Sequence, residues 1–116
     1  MVIIYDYPTC TTCKRAKKFL SDNGIEFKTI NLKEETPSKE TLLKVLGYMG
    51  IKRLFNTSGK TYRDINLKSK LKDLTTKEAI DLLSSDGSLI KRPILIDEEK
   101  DLYLLGFNES DWKQLV

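Results

Sequence analysis

The order of strand, helix and strand in residues 2–32 is the feature that most constrains the fold of this chain. Residues 2–5 (VIIY) form a short apolar, β-branched run that is typical of a buried strand. From Thr11 onward apolar residues recur at helical spacing, and the pair Asn23-Gly24 then predicts a helix end. Residues 26–32 alternate in polarity and predict a second strand. Because a helical crossover joins parallel strands, this segment predicts a βαβ unit.

The remaining pattern predicts a group of helices and then a hairpin. Pro37-Ser38 is expected to begin a second helix, which Gly47 and Gly50 are expected to interrupt. Residues 61–67 are ambiguous between irregular chain and a short turn. The other predicted elements are a helical turn at 51–55, a helix begun by a capping box of Thr75 and Glu78, strands at 91–97 and 102–105, and a last helix after Asn108.

This order of elements predicts an α/β, thioredoxin-like fold. A four-stranded mixed sheet would be flanked by helices, with a helical insertion between the second and third strands. We predict a single domain over residues 1–116, with a core of 1–33 and 88–116 and an insert of 34–87. No stretch approaches the roughly 18 apolar residues of a membrane span, and no signal peptide is recognised. We therefore expect a cytoplasmic monomer that does not bind a membrane.

The cysteines suggest redox chemistry. Cys10 and Cys13 are the two cysteines of the chain, and they lie three residues apart where the first helix is expected to begin. Free backbone N–H groups and the positive end of the helix dipole favour a thiolate at Cys10, whereas Cys13 belongs to the apolar helix face. Cys10 would then attack and Cys13 would resolve. The alternative is that both are inert, buried, small hydrophobic residues.

A metal site is not predicted. The chain has no histidine, which removes imidazole ligands and Cys–His nucleophile pairs. Two thiolates alone do not complete a four-ligand zinc site.

Arg92 and Pro93 are further candidates for the site. In thioredoxin-like folds, a proline before the third strand is usually cis and faces the reactive cysteine. We therefore predict a cis Arg92–Pro93 bond. The Arg92 guanidinium would then be directed toward Cys10, where it could stabilise the thiolate or hold an oxyanion through paired hydrogen bonds. The alternative is a surface arginine that precedes a turn proline.

Residues 52–72 are strongly basic. They hold seven Lys or Arg residues and one Asp, in a chain of net charge +3. Such a segment is either a solvated face or a docking surface for an anion or an acidic partner. Direct nucleic-acid binding is not predicted, because no aromatic ladder or recognised motif accompanies the charge.

Three segments in register resemble the arsenate reductase-like ArsC/Spx/MgsR family: PTCTTCKRAKKFL (8–20), LFNTSGKTYRDINL (54–67) and KRPILID (91–97). The resemblance implies a cytoplasmic bacterial protein with a thioredoxin-like fold and a helical insertion. Cys10 and Arg92 match two functional residues of the glutaredoxin-coupled arsenate reductases. Asn56 and the segment 106–108 stand where two further arginines are expected. Arsenate reduction is therefore the third hypothesis.

The resemblance to Spx-type regulators implies a redox switch at Cys10 and Cys13. It also implies binding to the C-terminal domain of the RNA polymerase α subunit through a surface that includes a glycine, matched here by Gly50. Lys52 and Arg53 of the basic insert are the further candidates for this surface. This regulator is the second hypothesis.

The leading hypothesis is a thiol–disulfide oxidoreductase that acts on an oxidised thiol or a small-molecule thiol. Cys10 is the nucleophile, a redox-active Cys10–Cys13 disulfide forms, and Arg92 polarises the site. No cofactor would be bound, and a glutathione-like thiol, glutaredoxin or thioredoxin would serve as reductant.

Overall fold

The computed structural model describes residues 1–116, and its contacts divide the chain into two compact units. The first unit consists of Met1–Asn31 and Arg92–Val116, and the second of Leu32–Lys91. None of the helices combines the length and the apolar character that crossing a membrane requires. The assignment of the whole chain to a single domain stays a prediction.

A four-stranded mixed sheet in the order β2-β1-β3-β4 forms the basis of the first unit. Its strands are β1 (Val2–Asp6), β2 (Phe27–Asn31), β3 (Ile94–Asp97) and β4 (Leu102–Leu105). The β1 and β2 strands are parallel, whereas β3 runs antiparallel to both β1 and β4. The parallel pair follows from the helical crossover, and the antiparallel pair from the tight turn between β3 and β4. The predicted thioredoxin-like fold class is confirmed.

Two helices, α1 (Thr11–Asp22) and α7 (Glu109–Trp112), complete the first unit. Ile4 lies opposite Leu95, which lies opposite Leu104, so the three share one face of the sheet. Their side chains are buried in one apolar cluster with residues of both helices, among them Ala16, Leu20 and Trp112. This packing holds α1 and α7 against the sheet.

The second unit contains five helices. They are α2 (Lys39–Met49), α3 (Ile51–Leu54), α4 (Lys60–Asp64), α5 (Leu67–Lys70) and α6 (Thr76–Ser85), with 3₁₀ turns at Leu71–Asp73 and Gly87–Leu89. The predicted capping box of α6 is confirmed. The Thr75 hydroxyl accepts a bond from the Glu78 N–H, and the Glu78 carboxylate accepts one from the Thr75 N–H.

Two expectations for this unit are wrong in detail. The α2 helix continues through Gly47, because a glycine inside a helix costs only about 1 kcal/mol and buried Leu42 and Val45 anchor the helix. The interruption comes at Gly50, whose φ of 84° ends α2. The ambiguous segment 61–67 is mostly helical, since α4 and α5 cover most of it.

The third strand also begins later than predicted. The Lys91 N–H donates to the Leu54 carbonyl of the second unit at 2.8 Å, so Lys91 is paired outside the sheet. The ladder therefore starts only at Ile94, after Pro93, which has no N–H to donate.

Candidate active site

Cys10 is the N-cap residue of α1. Its backbone is extended (φ −85°, ψ 108°), and its Sγ accepts a hydrogen bond from the Cys13 backbone N–H at 3.1 Å. A side-chain oxygen of Ser, Thr, Asp or Asn usually fills this role. The Cys10 N–H donates to the Tyr7 carbonyl at 3.0 Å, which closes the turn between β1 and α1. The first turn of α1 carries no acidic residue, so the Cys10 sulfur lies at the positive end of the helix dipole with no carboxylate of that turn beside it.

Cys13 lies one helical turn further and is only 1% exposed. Burial is the main reason that its pKa is raised from 9.0 to about 12. The hydrogen bond with Cys10 and the charges of Cys10 and Asp6 raise the pKa further, whereas a hydrogen bond with the Tyr7 backbone lowers it. Both cysteines are free thiols, and Cys10 is partly accessible. The two thiols therefore differ in burial, and their assignment as nucleophile and resolving thiol stays a prediction.

A partly buried ion pair lies in the same unit. Asp6, at the end of β1, is 8% exposed and accepts a 2.6 Å hydrogen bond from the Lys17 ammonium of α1. Asp6 acts electrostatically on Cys13, so this pair belongs to the surroundings of the resolving thiol. Sequence reasoning missed it. The available signal was a carboxylate that directly follows an apolar strand, since such a group needs a cation when buried.

Arg92 contacts Tyr7. The Arg92–Pro93 peptide bond is cis, which is the isomer expected from the sequence. The guanidinium carbon lies 4.3 Å from the centroid of the Tyr7 ring, within the range of a cation–π contact. The Tyr7 carbonyl also accepts a hydrogen bond from the Cys10 N–H, so Tyr7 connects Arg92 to the turn that carries Cys10. Tyr7 was not among the predicted site residues.

Lys14 and Arg15, the basic residues of α1 that directly follow Cys13, differ in their contacts. Lys14 is exposed. The Arg15 guanidinium lies 5.6 Å from the centroid of the Phe107 ring. Arg15 is thus held by an aromatic contact that helical spacing alone does not reveal.

The other predicted residues belong to the second unit. Gly50 is exposed at the junction of α2 and α3, and Lys52 and Arg53 are exposed on α3. The Asn56 amide donates to the Ser88 carbonyl at 3.3 Å, and its oxygen accepts from the Ser58 hydroxyl at 3.2 Å. No group of three or more Cys, Asp or Glu side chains is placed to hold a metal ion.

Comparison with known proteins assigns the family. The ArsC family profile matches residues 5–115. Uncharacterized protein YusI of Bacillus subtilis (strain 168) is 45% identical over 112 residues, which cover 95% of this chain and 93% of that protein. Global transcriptional regulator Spx of Lactiplantibacillus plantarum is 32% identical over 118 residues, covering 100% of this chain and 86% of Spx.

A solved structure agrees with these sequence matches. The crystal structure of a possible arsenate reductase from Streptococcus mutans UA159 superposes with a TM-score of 0.88 at 39% identity, covering 97% of this chain and 98% of that one. The fold, the family profile and the relatives are consistent with one another. The chain therefore belongs to the ArsC family.

Proposed function

We propose that this protein is a thiol–disulfide oxidoreductase in which Cys10 is the nucleophile and Cys13 the resolving thiol. The observation that carries the proposal is the asymmetry of the pair. The Cys10 sulfur accepts the Cys13 N–H at the start of α1, whereas the Cys13 thiol is buried with its pKa raised to about 12. A thiolate is the attacking species in disulfide exchange, so the first attack belongs to Cys10.

In the proposed reaction the two cysteines are oxidised by two electrons and the substrate disulfide is reduced to two thiols. The Cys10 thiolate attacks one sulfur of a substrate disulfide and releases the other half as a thiolate, which leaves a mixed disulfide on Cys10. Cys13 then loses its proton to solvent, attacks the Cys10 sulfur and releases the second substrate half. The product is a Cys10–Cys13 disulfide, and an external dithiol or two low-molecular-weight thiols return it to the dithiol.

Formation of the mixed disulfide also helps the resolving step. While Cys10 is a thiolate, its charge and its hydrogen bond raise the pKa of Cys13. Once Cys10 is in a mixed disulfide, that charge is gone, and the pKa of Cys13 falls toward the value set by burial, the charge of Asp6 and the hydrogen bond with the Tyr7 backbone. Cys13 therefore becomes a better nucleophile only after Cys10 has reacted.

Arg92 supplies a fixed positive charge to the site. Its stacking on Tyr7 restricts the guanidinium, and Tyr7 is tied by its carbonyl to the Cys10 N–H. A guanidinium held in this way can pair with a carboxylate or another anionic group on the incoming thiol.

Single substitutions of the two cysteines test the proposal. Cys13→Ser should trap a mixed disulfide on Cys10, seen by intact mass as the addition of one substrate half. Cys10→Ser should neither form an adduct nor reduce the substrate, although its remaining thiol stays intact. Turnover by Cys10→Ser, or failure of the wild-type pair to form the Cys10–Cys13 disulfide, would contradict the assignment.

The similarity to the transcriptional regulator Spx favours a second candidate function. A redox-responsive regulator would bind the C-terminal domain of the RNA polymerase α subunit through the surface of Gly50, Lys52 and Arg53. Gly50 has a φ of 84° and a ψ of 155°, a conformation that only glycine adopts readily.

Gly50→Arg must therefore be compared with Gly50→Ala, which imposes the same backbone strain without the long side chain. Loss of binding in Gly50→Arg alone would support the regulator. No binding of the polymerase domain by the wild-type protein in either redox state would remove it.

A further inference from the structure

A groove in the second unit is lined by three lysines of the basic segment 52–72. It has a volume of about 570 Å³ and is lined by residues of α3, α4, α5 and the 3₁₀ turn that follows α5. Lys52, Lys68 and Lys72 line it, and its lining contains no acidic residue. The structure thus brings together lysines that are up to twenty positions apart in the sequence.

The three lysines carry unneutralised charge. All three are exposed, and none takes part in an ion pair of the chain. The acidic residue of the same segment, Asp64, is paired with Lys60 at 3.5 Å and does not line the groove. Cations left without counter-charges around a concavity attract an anionic partner.

The floor of the groove is apolar. Ile51 is partly buried, and Tyr62 and Leu71 are 5% and 8% exposed. Tyr62 is held against Phe55, with ring centroids 6.4 Å apart. A volume of this size accommodates an apolar side chain or two, and a free inorganic anion would leave such a floor exposed to water. The partner must therefore carry apolar groups as well as negative charge.

We propose that this groove binds an acidic, amphipathic segment of a partner protein, with an apolar side chain on the floor and carboxylates at the three lysines. A single-stranded nucleic acid fits less well, because its bases stack on exposed aromatic faces and the aromatic ring here, that of Tyr62, is almost fully buried. The proposal depends on the second unit and not on the chemistry of the cysteines.

Peptide binding to the full chain tests the proposal. The probe is a short fluorescein-labelled peptide in which Leu and Phe are flanked by Glu and Asp. Its binding is measured by fluorescence anisotropy at low salt. We expect saturable binding that Lys68→Glu weakens by about tenfold, because this lysine lines the groove. The matched control is Lys70→Glu on the same helix, which changes the net charge equally outside the groove and should alter affinity less than about twofold.

A second peptide tests the apolar floor. Replacing Leu and Phe of the probe by Ser, with all carboxylates retained, should weaken binding by about tenfold or more. Equal losses in Lys68→Glu and Lys70→Glu, or equal affinity for the Ser peptide, would reduce the effect to general charge attraction and overturn the proposal.

The same variants also test two other occupants of the groove, a single-stranded nucleic acid and a second copy of the chain. An oligothymidylate that binds more tightly than the peptide and is weakened by Lys68→Glu would reassign the groove to nucleic acid. A dimer in analytical ultracentrifugation that Lys68→Glu dissociates would reassign it to a second copy of the chain. Either result would overturn the proposal.

Discussion

Replacement of Cys13 by Ala tests whether the fold holds the resolving thiol in its protonated form. Burial, the neighbouring Cys10 and Asp6 raise the pKa of Cys13 from 9.0 to about 12. The folded protein therefore binds the thiol proton more tightly than the unfolded chain does. This contribution to stability is complete below pH 9 and is lost as the pH rises toward 12.

The magnitude follows from the size of the shift. A change from 9.0 to about 12 corresponds to a total of about 4 kcal/mol. The loss is negligible at pH 8 and reaches about 1 kcal/mol at pH 10. Titration of tyrosines and lysines also lowers stability in this range, but that part is common to the wild type and the variant.

Urea unfolding under reducing conditions at pH 8 and pH 10 measures the effect. Cys13→Ala keeps the backbone N–H that donates to the Cys10 sulfur, so the start of α1 is preserved. The decrease in unfolding free energy between the two pH values should be about 1 kcal/mol smaller in Cys13→Ala than in the wild type.

Cys10→Ser provides the control for this experiment. It removes two causes of the pKa shift of Cys13 but leaves its burial, so its alkaline loss should fall between those of the wild type and Cys13→Ala. Equal alkaline losses in the wild type and Cys13→Ala would refute the reasoning, because the thiol would then titrate alike in the folded and unfolded states.

Three further predictions concern backbone conformation, the partly buried ion pair and catalysis. Gly47→Ala should stabilise the protein by about 1 kcal/mol, whereas Gly50→Ala should destabilise it by about 1–3 kcal/mol, because of these two glycines Gly50 alone has a positive φ. Chemical denaturation measures both changes in unfolding free energy, and changes of the same sign would contradict this prediction. Lys17→Met should cost about 2 kcal/mol by leaving the buried Asp6 carboxylate without its cation, whereas Lys18→Met, at an exposed pair, should cost less than about 0.5 kcal/mol; thermal unfolding of the two variants compares them. Resolution of a mixed disulfide on Cys10 should become faster by up to about tenfold for each unit of rising pH, because the Cys13 thiol must ionise first. Stopped-flow measurements give this rate, and a pH-independent rate would exclude Cys13 as the attacking group.

Much of the fold could be predicted from the chain because it is encoded locally. An apolar run, a helical periodicity and an alternating run predict the βαβ unit, and Thr75 with Glu78 predicts the start of α6. The errors occurred where local signals are weak. A glycine such as Gly47 is tolerated inside a helix whose neighbours are anchored in a core, and the short helices α4 and α5 lack a full amphipathic repeat.

The sequence by itself determined where the two cysteines lie in the first helix, because capping and helical spacing depend only on neighbouring residues. Tertiary structure alone decided the other contacts. Lys17 pairs with Asp6, Arg92 stacks on Tyr7, and Lys52 of α3 lines one groove with Lys68 and Lys72. Each of these contacts joins residues that local secondary structure does not bring together, so its formation depends on how the chain packs, which no spacing along the sequence specifies.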